Sequence, residues 1–408
     1  MRHLLSVVLL ALPLAAWAQA DPIATLTEAE AVRFGLARTD LSDLERGTIE
    51  LAEAGAQAAG LLPNPTLGYS RDRNRGTTGA TEEFWQIAQT FDVSGRRGLR
   101  REAADRRVDG ANAGNTLRRS EIAAEIRHRF HETLFRQETV RATETWTQRF
   151  IRVERLVEKL ARAGEASGYD RRRLTRERQT AQARLSTEQA DLDRASERLA
   201  ALIGLPGKAA ASVSGVLSPT ATSPLDKALS RLEQRPDLQV LSRRAEAADL
   251  EGRAASRGWV PDVTLGVGPK HTDNGITREN GTHVTFSIPL PVFDRQQADE
   301  KRALAEALNA RAEYSLIRAR AEGELRGLHR QVERLATAAN DYRTHAVVES
   351  SELLRIAEAA YQGGESTLLE LLDAYRGALE TEITALNLEW KARVALIEYD
   401  LLTGSVTE

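Results

Sequence analysis

Apolar positions recur along this chain at two different periods, and the change of period divides it into parts. Leu174, Ala181, Leu185, Leu192, Ala195, Leu199 and Leu202 fall on an alternating three-and-four ladder, broken only by Arg178 and Glu188. The same ladder returns over Leu325, Leu328, Val332, Leu335, Ala339, Tyr342 and Ala346, and over Leu379, Ile383, Leu386, Trp390, Val394, Ile397 and Leu401. Sustained spacing of this kind predicts coiled-coil packing rather than an ordinary globular core. From about Gly98 to Arg162 there is no proline. At 1.5 Å per residue, roughly 65 residues make a rod of about 100 Å. Leu304 to Gln362 predicts a partner nearly as long. Such rods belong to a tunnel or a stalk.

In four places the period shortens to two. Leu67 and Tyr69 alternate with Gly68 and Ser70, and Trp85, Ile87 and Phe91 alternate with Gln86, Ala88 and Thr90. Val263, Leu265 and Val267 alternate with Thr264, Gly266 and Gly268. Val284, Phe286, Ile288 and Leu290 alternate with His283, Thr285, Ser287 and Pro289. Each run is about ten residues, the length a tilted strand needs to cross a bilayer. In that setting Trp85, Ile87, Phe91, Val284, Phe286 and Ile288 face lipid and the small polar set faces a lumen. The connecting segments Arg71–Glu83 and Lys270–Thr282 read as long polar loops, the second with Asn274-Gly275 and Asn280-Gly281 turns. Four strands cannot close a barrel, so copies must share one; three copies leave room for a channel.

The chain also repeats itself. Arg38-Thr39-Asp40-Leu41 returns as Arg235-Pro236-Asp237-Leu238, and Pro63-Asn64-Pro65-Thr66-Leu67-Gly68 as Pro261-Asp262-Val263-Thr264-Leu265-Gly266. Glu125-Ile126-Arg127 is answered by Glu324-Leu325-Arg326, Gly164-Glu165-Ala166-Ser167 by Gly364-Glu365-Ser366-Thr367, and Leu202-Ile203-Gly204 by Leu402-Thr403-Gly404. Five matches at nearly constant offset predict two structural repeats, 21–204 and 225–404, joined by a linker over 205–224 and followed by a short tail, 405–408. Expected strands span about 65–73, 83–92, 262–270 and 283–291. Expected long helices span about 97–162, 169–203, 296–362 and 366–403.

Composition narrows the function classes. Arg2 and His3 precede an apolar run from Leu4 to Leu14 and Ala18-Gln19-Ala20, the pattern of a signal peptide over 1–20. The chain has no cysteine, which excludes disulfides, thiolate metal sites and an N-terminal lipid anchor on Cys. A net charge of −3 argues against a nucleic-acid partner. No nucleophile–base–orienter set or phosphate loop is visible, so no enzyme and no cofactor are expected. His128, His131 and Glu132 sit together on a rod and could hold a metal, but a packing role fits them better.

The duplicated order, the Leu62-Pro63-Asn64-Pro65 entry to the first strand, the Gln89-Thr90-Phe91-Asp92…Gly95-Arg96-Arg97 exit and the stretch Tyr361-Gln362-Gly363-Gly364-Glu365-Ser366-Thr367-Leu368-Leu369-Glu370-Leu371-Leu372-Asp373 resemble the TolC family of outer-membrane efflux proteins, and within it the heavy-metal cation exporters. The resemblance implies a mainly α fold with a small β part. It further implies a homotrimer with a shared twelve-stranded barrel in outer-membrane lipid, a periplasmic α-barrel of helical hairpins, and docking to a periplasmic adaptor (membrane fusion) protein and an inner-membrane pump of the resistance-nodulation-division type. It makes the hairpin tips, Ala163–Asp170 and Gln362–Asp373, a closed gate turned by Gly164 and Gly364. Tyr361 and Asp170 take the positions of a hydrogen-bonded pair holding it shut; Glu370 and Asp373 take those of an acidic constriction. Where TolC-like members carry an arginine this chain has Ser366, so that latch is absent or is taken over by Arg171, Arg172 or Arg173. Acids at 370 and 373 also suit the first turn of a helix without any further role. The competing reading is a periplasmic coiled-coil structural or adaptor protein without a channel, which leaves the four amphipathic strands unexplained.

Overall fold

The computed structural model describes residues 25–74, 79–162, 164, 167–207, 212–219 and 222–404. The expected signal peptide, the tail 405–408 and the tip residues Ala163, Glu165 and Ala166 lie outside them.

In chain order the elements are β1 (Leu26–Thr27), α1 (Glu28–Leu36), α2 (Thr39–Gly60), β2 (Thr66–Arg73), β3 (Thr81–Phe91), α3 (Arg96–Arg162), α4 (Gly168–Leu202), β4 (Val213–Ser214), α5 (Leu225–Ser230), a 3-10 turn (Leu232–Gln234), α6 (Pro236–Ala255), β5 (Val263–Asp273), β6 (Arg278–Ser287), α7 (Gln297–Asp341), a π-helical segment (Tyr342–Ala346), α8 (Val347–Gln362) and α9 (Leu368–Thr403). The rods form because their apolar ladders find partners. At the sheet end, Leu99 and Ala103 of α3 pack on Ala247, Leu250 and Ala254 of α6. At the other end Phe150, Val153 and Val157 of α3, Leu174 of α4, Leu354 of α8 and Leu371, Leu372 and Tyr375 of α9 share one cluster. The core is thus strung along the rods rather than gathered at a centre.

Four strands form an antiparallel sheet in the order β2-β3-β5-β6. Its register places Leu67 beside Ile87, Ile87 beside Val267 and Val267 beside Val284, so one face is a continuous apolar surface. Thr66, Gly68, Gln86, Ala88, Thr264, Gly266 and Thr285 line the other. Thr90 and Thr264 share a hydrogen bond of 2.8 Å there, and the Thr285 hydroxyl donates to Gln86 at 3.2 Å. A Cβ on Gly268 would lie 1.8 Å from the Trp85 carbonyl oxygen. Glycine is needed because neighbouring backbone presses in at this point, beside Pro269, which has no N–H to give the ladder.

Four expectations require correction. The second hairpin is tight: β5 and β6 extend to Asp273 and Arg278, with Asn274 accepting from the Ile276 and Thr277 amides at 2.9 and 2.7 Å. Asn280-Gly281 therefore lies within β6, because cross-strand pairing continues through it. Ile288 falls just past the end of β6 and is half-buried. Within the linker, β4 pairs in parallel with β1, and Gln137 bonds both the amide and the carbonyl of Val213 at 3.1 Å. The second rod, expected unbroken, is interrupted by the π segment.

Candidate functional site: the hairpin tips and the two-faced sheet

Both tips are built by the same local chemistry. After α3, Gly164 takes φ +83, and after α8, Gly364 takes φ +76, a left-handed conformation that glycine adopts without steric cost. Each returning helix opens with a reciprocal capping box. The Ser167 hydroxyl accepts from the Asp170 amide at 3.0 Å, while the Asp170 carboxylate accepts from the Ser167 hydroxyl at 2.7 Å. The Glu370 carboxylate accepts from the Thr367 amide at 2.8 Å and hydroxyl at 3.1 Å. Those bonds hold the exposed Glu370 carboxyl below its ordinary range.

Tyr361 is half-buried beside the tip cluster. Burial, and then the charge of Asp170, push its hydroxyl pKa up. The two residues are therefore electrostatic neighbours, but no hydrogen bond joins them among the described residues; the Asp170 carboxylate caps its own helix instead. Glu370 and Asp373 are both exposed, one helical turn apart. Arg171, Arg172 and Arg173 form no ion pair among the described residues, and the Ser366 hydroxyl oxygen is buried without a partner.

Sequence spacing missed a contact between the hairpins. Glu177 of α4 is buried. Its carboxylate receives Arg376 of α9 at 2.5 Å and Arg176 at 3.0 Å. Burial alone would raise its pKa, but the two guanidiniums outweigh it and the pKa is lowered. The signal was weak: an acid at an apolar helix position, with no indication of its distant partner.

The sheet adds a second missed feature. Asp72, Glu82, Thr272 and Glu279 stand side by side in register on the polar face, at the end farthest from the helices; among the described residues Glu82 forms an ion pair, to Lys270 at 2.7 Å, and Asp72 and Glu279 form none. On the opposite face Trp85, Ile87, Phe91, Val284 and Phe286 are all exposed. The histidines do not converge on a metal. The His131 Nε2 lies 2.9 Å from Glu28, His128 packs edge-on to Trp390, and Glu132 pairs with Arg129 at 2.9 Å. No cluster of potential metal ligands occurs among the described residues.

Residues 229–405 match the family model described as "Outer membrane efflux protein". Over 361 residues the chain is 25% identical to the cobalt-zinc-cadmium resistance protein CzcC of Cupriavidus metallidurans, covering 87% of this chain and 84% of the relative. Over 327 residues it is 24% identical to the nickel-cobalt-cadmium resistance protein NccC of Alcaligenes xylosoxydans xylosoxydans, covering 77% and 71%. The fold matches the crystal structure of the outer membrane protein VceC of Vibrio cholerae with a TM-score of 0.77 at 22% identity, over 92% of this chain and 96% of that one. The two-faced sheet and the paired rods agree with these likenesses: the chain is similar to outer membrane efflux proteins and shares the fold of VceC.

Proposed function

We propose that three copies of the chain close their sheets into one twelve-stranded barrel in the outer membrane and their rods into a periplasmic tunnel, the exit duct of a tripartite efflux system. One observation carries the reading: the four-stranded sheet leaves both β2 and β6 with an unpaired edge and exposes an apolar face. In water, open edges invite aggregation and an exposed apolar sheet face is costly. In lipid, closure removes the edges and the bilayer covers the face. Twelve strands leave a lumen for the polar face.

On this reading the tips form the periplasmic gate and meet the adaptor and the resistance-nodulation-division pump. Glu370 and Asp373 from three protomers form a carboxylate ring at the gate, and the Asp72–Glu82–Glu279 row lines the outer mouth. Two acidic rings suit a cation, and the relatives named for cobalt, zinc, cadmium and nickel resistance support heavy-metal cations as the cargo. The test is assembly in outer membranes. The wild type extracts as a detergent-stable trimer. Arginine at Ile87 or Phe286 costs about 2–4 kcal/mol near the bilayer midplane and lowers trimer yield, whereas arginine at Thr285 or Ser287 is tolerated. Equal yields from both sets would sink the barrel.

A further inference from the structure

We propose that the Glu177–Arg376 ion pair is the latch that holds the two hairpin tips of a protomer together; the proposal rests on the reading of the tips as a gate. None of the other charged groups named at the tips joins the two hairpins in an ion pair among the described residues. Asp170 and Glu370 cap their own helices, residue 366 is a serine, and Arg171, Arg172 and Arg173 have no acidic partner among the described residues. Glu177 and Arg376 remain. Each lies about nine residues into its helix, roughly 13 Å from the turn, so the pair bridges α4 and α9 at matched height. Leu174, Leu371, Leu372 and Tyr375 pack around that height.

The pair is asymmetric in a way that suits a latch. The Glu177 side chain is 5% exposed and that of Arg376 45%. A buried carboxylate is stabilised more by two guanidiniums than by one, so Arg376 is held while the tips are closed. Arg176, the neighbour of Glu177 on the same helix, keeps its own bond to the carboxylate. When α9 withdraws Arg376, Glu177 therefore retains one cation, and the guanidinium moves into water. Release is reversible and leaves no bare buried charge.

The experiment uses full-length trimer in planar bilayers. It includes a labelling variant, Ser366→Cys, made in a chain with no other cysteine. Arg376→Gln should raise single-channel conductance at least twofold. It should also speed maleimide labelling at Ser366→Cys about tenfold, while a control Ala385→Cys, fully buried in α9, stays protected. Arg376→Lys keeps the charge and should behave as the parent. Glu177→Gln, close in shape, should reproduce Arg376→Gln, and serves as the test if Arg376→Gln yields no trimer. An intact Arg376→Gln or Glu177→Gln trimer with parental conductance and labelling overturns the latch. If Tyr361→Phe with Asp170→Asn opens the same channel in that case, the gate reading stands and the latch alone falls. If no variant opens it, both fall.

Discussion

The two hairpins of this protein share a left-handed glycine and a capping box at their tips and differ in their shafts. α3 runs 67 residues without a break, whereas its counterpart is divided into α7 and α8 by the five-residue π segment. The sequence offsets locate the cause. Glu125-Ile126-Arg127 and Glu324-Leu325-Arg326 stand 199 residues apart, and Gly164 and Gly364 stand 200 apart. One residue has been added between those points, and a π turn is how a helix absorbs a single extra residue. Without it, everything beyond would rotate by about 100°, and Leu354 and Tyr361 would leave the tip cluster. The halves also stabilise this level differently. Buried Thr139 and Thr147 of α3 donate to carbonyls four residues back at 2.9 and 2.8 Å. In the second rod Arg343, inside the π segment, is clamped by Glu389 at 2.8 Å and Glu382 at 2.5 Å.

That difference predicts the largest effect. Arg343→Ala leaves the buried Glu389 carboxylate without its guanidinium and should cost about 3–5 kcal/mol. Thr143→Ala, at the matching level of α3, should cost little, because its hydroxyl has no partner to lose. Denaturant unfolding of the detergent-solubilised protein measures both. Similar losses would mean that the two shafts are equivalent after all.

The repeated Glu–apolar–Arg motif sharpens the comparison at mid-rod. Arg326 is exposed and pairs with Glu322 at 3.0 Å. Its counterpart Arg127 is nearly buried and joins Glu28 at 2.5 Å and Asp400 at 3.1 Å. Burial would raise the pKa of Glu28, but His131 and Arg127 outweigh it and hold the carboxyl at about 2. A carboxyl depressed in the folded state contributes stability above its ordinary value of 4.5 and loses it as pH falls toward 2. Burial likewise depresses His131 below 6.5, and a base depressed by folding also makes stability fall as pH drops below that value. Acid should therefore lower the melting temperature in two stages. Glu28→Gln should remove the lower stage, and Glu322→Gln should leave the profile unchanged. A parental profile in Glu28→Gln would dissociate acid sensitivity from the first half.

What could be read beforehand follows from the range of the interactions. The ladders over Leu174–Leu202 and Leu379–Leu401 and the alternating strands are local periodicities, and they placed the rods and the sheet closely. Gly164 and Gly364 were legible for the same reason, since a helix end needs a left-handed residue nearby. The π segment was not, because an i→i+5 turn has no residue signature; only the slipped offset recorded it. Glu177–Arg376 and Arg343–Glu389 were also hidden, since each joins residues that only the packing of helices brings together. The tight β5–β6 turn was misread because Asn280-Gly281 looks like a turn wherever it stands, and cross-strand pairing overrode it.

The smallest expected effect tests whether matched tips are also equally stable. Both carry a capping box, and losing the cap hydroxyl should cost about 1 kcal/mol at either one. The helices behind the caps differ. The first turn of α9 presents Leu368, Leu371 and Leu372, all buried, so packing holds it even when the cap is gone. The first turn of α4 presents Gly168, Arg171 and Arg172, which are exposed, and Tyr169, which is 70% exposed. Among the described residues, the cap and the Leu174 contact are its main restraints. Ser167→Ala should therefore fray α4 and speed amide hydrogen exchange over residues 170–173 by about fivefold, the factor that roughly 1 kcal/mol allows when opening is local. Thr367→Ala should change exchange over residues 370–373 by less than half as much, since opening there must also expose leucines. If the two tips responded equally, the packing beneath α9 would contribute nothing to its first turn, and the likeness of the two caps would extend to their stability.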